Sequence, residues 1–79
     1  MVYPAKDLWE AAFLRLRGIR PAGTTTEGKW VQFVFEDGDG CASQTATEYL
    51  GNPTVPLRDF KDHFTTLRQA LEAIRAVGM

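Results

Sequence analysis

The chain has 79 residues, 44% of them hydrophobic, with nine basic and ten acidic side chains for a net charge of −1. That length holds one domain with a small core, and the balanced charge argues against the broad basic field of a non-specific nucleic-acid binder. One cysteine, Cys41, and one histidine, His63, exclude an internal disulfide and a Cys/His zinc set, so stability has to come from close packing or a second subunit.

The opening stretch Met1–Asp7 lacks the basic region and apolar run of a signal peptide. No apolar segment approaches the ~20 residues that span a bilayer. With a lone thiol, this predicts a cytoplasmic protein without a membrane segment.

Lys6–Arg17 reads as a first helix, with acids early and arginines late to complement the helix dipole. Trp9, Ala12, Phe13 and Leu16 make one stripe, widened by Leu8 and Ala11. Gly18 stands where a left-handed C-terminal residue belongs, which sets Ile19 to pack back on Leu14.

A hairpin is expected next. Trp30–Glu36 alternates, with Val31, Phe33 and Phe35 on one face and Trp30, Gln32, Val34 and Glu36 on the other. The strand before it, from about Ile19 to Thr26, is weaker. Pro21 cannot donate to a ladder and marks an edge, and Glu27-Gly28 is the expected turn. Asp37-Gly38-Asp39-Gly40 breaks the pattern, and a short helix follows over Cys41–Leu50 with Asp39 as N-cap, ended by Gly51-Asn52-Pro53. The last helix starts near Pro56 and runs to Val77, carrying Leu57, Phe60, Phe64, Leu67, Leu71 and Ile74 at spacings of three and four. The order α-β-β-α-α predicts a two-layer α+β fold, one domain over residues 1–79.

A two-stranded sheet must be covered or extended. Val31, Phe33 and Phe35 give the last helix one face to cover. Trp30 and Val34 on the other face, with Tyr3 and Trp9, still need burial and define an expected homodimer interface. The same pattern also fits a core closed within one chain.

Candidate chemistry is sparse. His63 has Asp59 one turn back, but a histidine flanking an apolar seam with a carboxylate neighbour is the ordinary state of a helix surface. Cys41 near a helix start has no base in sequence range. Asp37-Gly38-Asp39-Gly40 lacks the later oxygen ligands of a calcium loop and reads as a polar turn with a helix cap. No phosphate-cradling glycine motif is present. No catalytic residue, cofactor or metal is expected, and neither a small hydrolase nor a ligand-binding protein has a motif to support it.

Cationic side chains are the sharper signal. Arg58, Lys61, Arg68 and Arg75 fall on one flank of the last helix, and Arg15, Arg17 and Arg20 gather at the end of the first. Brought together, Arg15, Arg17, Arg20, Lys61, Arg68 and Arg75 could bind phosphates beside Trp30. Asp62 and Glu72, one turn beyond Arg58 and Arg68, equally allow a self-paired, solvated face.

Three sets of blocks carry a family resemblance: Lys6-Asp7-Leu8 with Ala11-Ala12-Phe13-Leu14 and Gly18; Phe33-Val34-Phe35-Glu36-Asp37; and Tyr49–Gly51 followed by Val55, Phe60 and Leu67. The chain resembles short bacterial domains of unknown function found in phage-like and mobile-element settings, which carry K-D-L-x-x-A-A-F-L and F-V-F-E-D blocks. It departs from them at Ala5, where a capping threonine is common, and over Ala22–Glu27, which is longer and richer in threonine. The resemblance implies a fold and a setting rather than a chemistry, and points mildly to an accessory role in DNA transactions. The expected function is a non-enzymatic interaction module acting as a homodimer, with an accessory nucleic-acid binder as the alternative.

Overall fold

A computed structural model describes residues 1–27 and 30–77 and orders the elements β1 (Val2–Pro4), α1 (Leu8–Leu16), β2 (Pro21–Glu27), β3 (Trp30–Glu36), α2 (Cys41–Leu50) and α3 (Leu57–Val77). The fold is α+β, and the hairpin, the short helix and the long last helix lie where the sequence places them. The expected Glu27-Gly28 turn and the side chain of Trp30 lie outside the described residues.

β1 is a strand that the sequence reading did not contain. It pairs antiparallel with β3 (Val2 opposite Glu36, Tyr3 opposite Phe35, Pro4 opposite Val34) and gives a sheet of order β1-β3-β2. Two further backbone bonds extend the ladder, from the Ala5 amide to the Phe33 carbonyl at 2.8 Å and from the Asp37 amide to the Met1 carbonyl at 3.1 Å. Pro4 cannot donate, and an edge strand tolerates that. β2 forms the other edge, as Pro21 requires, with an irregularity in register between Pro21 and Gly23. The sheet that had to be covered or extended is thus extended from within the chain.

α1 begins at Leu8, two residues later than expected. Asp7 is its N-cap: its Oδ1 accepts the Glu10 amide at 2.8 Å, so the missing threonine at Ala5 costs the helix no cap. At the other end Gly18 has φ 81°, its amide bonds the Arg15 carbonyl at 3.0 Å, and the Ile19 amide bonds the Leu14 carbonyl at 3.1 Å. These are the two bonds of a Schellman motif, and Ile19 packs on the core that contains Leu14. α2 differs from expectation. Its N-cap is Gly40, at φ 80°, and Asp39 lies one residue outside, where its Oδ1 reaches the Cys41 amide at 3.1 Å. Asp37, further outside, reaches back to the first turn and accepts from both the amide and the hydroxyl of Ser43.

α1 is the centre of the molecule. Five consecutive residues, Glu10–Leu14, are buried, which a helix can do only when it is covered on several sides. Ala11, Ala12 and Leu14 cluster with Phe35 of the sheet, Ala42 of α2, Leu67 of α3 and Ala5. The small alanines let the neighbouring elements approach closely. The molecule measures 37 × 30 × 18 Å, a slab about two layers thick at the ~10 Å spacing of packed elements. On α3 only the middle of the apolar seam is closed. Leu67 is buried, Phe60, Phe64, Leu71 and Ile74 are half-buried, and Leu57 is 78% exposed. Among the described residues no helix is long and apolar enough to cross a membrane.

Candidate interaction surface

The four residues expected at an interface part company. Val34 is buried between Pro4 of β1 and Gly23 of β2, at 6% exposure, and is not available to a partner. Tyr3 is half-buried because β1 turns it toward α1, where its hydroxyl donates to Glu10 Oε1 at 2.9 Å. The burial of Val34 corrects that expectation, and the strand that the sequence reading lacked accounts for both positions: β1 seats Tyr3 and flanks Val34. Trp9 remains, 54% exposed.

The Tyr3 corner is a closed polar unit. Glu10 is 2% exposed, and its Oε1 accepts the Tyr3 hydroxyl and, at 3.0 Å, the Lys6 amide. With Asp7 capping the Glu10 amide, this is a capping box whose acidic arm reaches one residue further back than usual. Burial, the hydrogen bond to Glu10 and the surrounding carboxylates push the Tyr3 hydroxyl up to about 12. The sequence reading passed over Glu10. Its signal was the spacing Asp7-x-x-Glu10 ahead of an apolar run.

The uncovered surface lies on the other side of α1. The Trp9 ring stacks on Phe64 (centroids 4.3 Å apart, planes at 19°) and lies parallel to Phe60 (6.0 Å, 5°), so α3 holds it without enclosing it. Beside it runs a groove of about 440 Å³, walled by Trp9 and Phe13 of α1, Tyr49 and Leu50 of α2 and Phe60 of α3, and closed by Asn52, Pro53 and Val55 of the connecting loop. None of these side chains is charged. Leu50, on its wall, is 70% exposed, and Leu57, three residues before Phe60 in α3, is 78% exposed. Asn52 adopts a left-handed conformation (φ 58°), which turns the chain out of α2 and lets Pro53 and Val55 complete the wall. The floor is packed: Phe13 is buried, its ring 5.7 Å from that of Tyr49, and the Arg17 guanidinium sits 5.1 Å from its centroid.

The cations do not collect into one free face. Arg17 pairs with Glu48, Arg20 with Glu36 at 3.8 Å, and Arg68 with Glu72 at 3.6 Å one turn along α3. Arg15 Nε donates to His63 Nδ1 at 3.1 Å, tying α1 to α3. Lys61 and Arg75 are exposed and, among the described residues, in no ion pair. Exposed pairs of this kind stabilise little, but they compensate the charge that a phosphate would need.

The residues weighed for catalysis have other partners. The Nδ1 lone pair of His63 is taken by Arg15, a cation rather than an orienting carboxylate. The Cys41 thiol is exposed and pushed up, chiefly by its hydrogen bond to Asp39 and by that carboxylate's charge, which is the opposite of what activates a thiolate. Asp37 and Asp39 are held below the usual carboxylate range, by hydrogen bonds from Ser43 and Cys41 respectively. Among the described residues no three metal-ligating side chains gather.

The blocks that carry the family resemblance are largely packing residues in this fold: Ala11, Ala12, Phe13, Leu14 and Phe35 are all buried. Compared with known proteins, the chain matches no family model, no curated protein and no solved structure.

Proposed function

We propose that this chain is a non-enzymatic interaction module that works as a homodimer, joined through the surface around Trp9, Leu50 and Leu57. The supporting observation is an uncharged groove whose wall includes Leu50 at 70% exposure, with Leu57, one helical turn from the wall residue Phe60, at 78%. An apolar surface of this kind gains by leaving water at about 25 cal/mol per Å², and no charged side chain lines the groove. Leu57 stands one helical turn before Phe60, which forms the groove wall. Knob and hole are therefore neighbours on one surface, the arrangement a two-fold axis needs for each copy to fill the other. The patch is small beside the ~800 Å² per partner of a standard interface, so the expected dimer is reversible. Engagement of Arg15, Arg17, Arg20 and Arg68 within the chain favours this reading over the accessory nucleic-acid binder.

Amide chemical shifts of the isotopically labelled chain, followed on dilution, test the location. Shifts concentrated at Trp9, Tyr49, Leu50 and Leu57, and absent in the Leu57→Glu variant, are expected. Dilution shifts confined to the sheet, or none at any concentration, would overturn the reading.

A further inference from the structure

A second groove lies toward the opposite end of α3 and differs in chemistry from the first. It has a volume of about 380 Å³ and is formed where the β1–α1 corner, the start of β3 and the last turns of α3 meet. Leu8, Val31, Phe33 and Leu71 line it, and each is only half-buried, so an apolar surface stays open to water. Lys6 and Arg75 stand on its wall, both exposed and, among the described residues, in no ion pair. The one acid on the wall, Asp7, has its Oδ1 committed to the Glu10 amide at the head of α1.

An apolar cleft whose wall carries two cations, in no ion pair among the described residues, against one acid is net positive, and is complementary to a molecule with an apolar body and a single negative head. We propose that this groove binds a small amphipathic monocarboxylate of the medium-chain fatty-acid class. The alkyl chain lies on Leu8, Val31, Phe33 and Leu71, and the carboxylate is taken by Arg75 and Lys6. A guanidinium offers a carboxylate two parallel N–H donors, and an ammonium adds a compact charge. The volume falls within the ~300–1,000 Å³ of small-ligand sites, which are mostly apolar with a few placed polar groups. The site is independent of the proposed dimer surface, which uses the first turns of α3.

The test is a titration of the full chain with octanoate below its micellar range, followed by amide chemical shifts and by heat. Saturable binding is expected, with shifts at Val31, Phe33 and Leu71 and weakening as salt is raised. Octan-1-ol, which has the chain without the charge, should bind about tenfold or more weakly, and Lys6→Glu and Arg75→Glu should each weaken octanoate by about tenfold. Both variants change exposed side chains, so the rest of the spectrum should be retained. Absence of saturable shifts, equal binding of octan-1-ol, indifference to both substitutions, or shifts at Trp9 and Phe60 instead would each overturn the proposal.

Discussion

Trp9 and Glu10 are adjacent in α1 and exchange the fates their chemistry suggests. The tryptophan is 54% exposed and the glutamate 2%. Glu10 is buried because two donors, the Tyr3 hydroxyl and the Lys6 amide, meet it, and a buried carboxylate with its bonds made is tolerable. Trp9 is half outside because α3 offers it the faces of Phe60 and Phe64 and nothing covers the rest. Neighbouring side chains on a helix point about 100° apart, so one residue faces the sheet corner and the next faces the groove. In this molecule burial follows available partners more closely than it follows polarity. The polar corner makes its bonds within the chain, whereas Trp9 and Leu57 keep more than half of their surface exposed.

The largest expected effect is in the corner. Glu10→Ala leaves two donors without their acceptor and should cost about 2–6 kcal/mol in urea unfolding, at ~1–3 kcal/mol for each unsatisfied group. Glu10→Gln, which keeps an acceptor oxygen, should recover more than half of that loss. If the two variants behave alike, the corner is held by packing rather than by these bonds. Asp7→Ala removes only the cap and should cost about 1 kcal/mol by the same measurement.

Alkaline pH probes the same corner. An unfolded tyrosine loses its proton near 10.0, whereas Tyr3 in the fold holds it to about 12. Above 10.0 the unfolded chain therefore sheds a proton that the folded chain retains. The stabilisation from Tyr3 is complete below that pH and is lost as pH rises toward 12. Tyr3→Phe should flatten this part of the stability profile relative to the unaltered chain. An unchanged slope would show that the hydroxyl is not held as described.

The smallest effect on folding is expected on the patch. Leu57→Ala, read in dilute solution where the chain is monomeric, should change unfolding stability by no more than about 0.5 kcal/mol, the usual range for an exposed site. A loss several times larger would mean that Leu57 packs within its own chain and that the difference between corner and patch is false.

Much of this was readable from residues. Phe33 and Phe35 alternate strongly enough to fix β3, Gly18 marks the end of α1, and Pro21 places β2 at an edge. The seam from Leu57 to Ile74 gives α3 its length, but periodicity cannot say how far a seam is covered; here Leu67 is closed and Leu57 open. β1 escaped because three residues ending in Pro4 are too few to show alternation, and it exists only through its pairing with β3. Without it, neither the burial of Val34 nor the bond from Tyr3 to Glu10 could be read. The patch was half legible. Trp9 was singled out, but Leu50, Val55 and Pro53 join it only because the left-handed Asn52 folds the loop back between α2 and α3. Long-range partners such as Arg15 with His63, 48 residues apart, leave no trace in local pattern.

The central claim is that the uncharged patch is the meeting surface of two copies. The most direct measurement is the solution mass by light scattering over a concentration series, for the unaltered chain and for Leu57→Glu. The account predicts a mass that rises reversibly to that of two chains in the first and stays at one chain in the second. A single-chain mass for the unaltered protein at every concentration, or a dimer that survives Leu57→Glu intact, would contradict it.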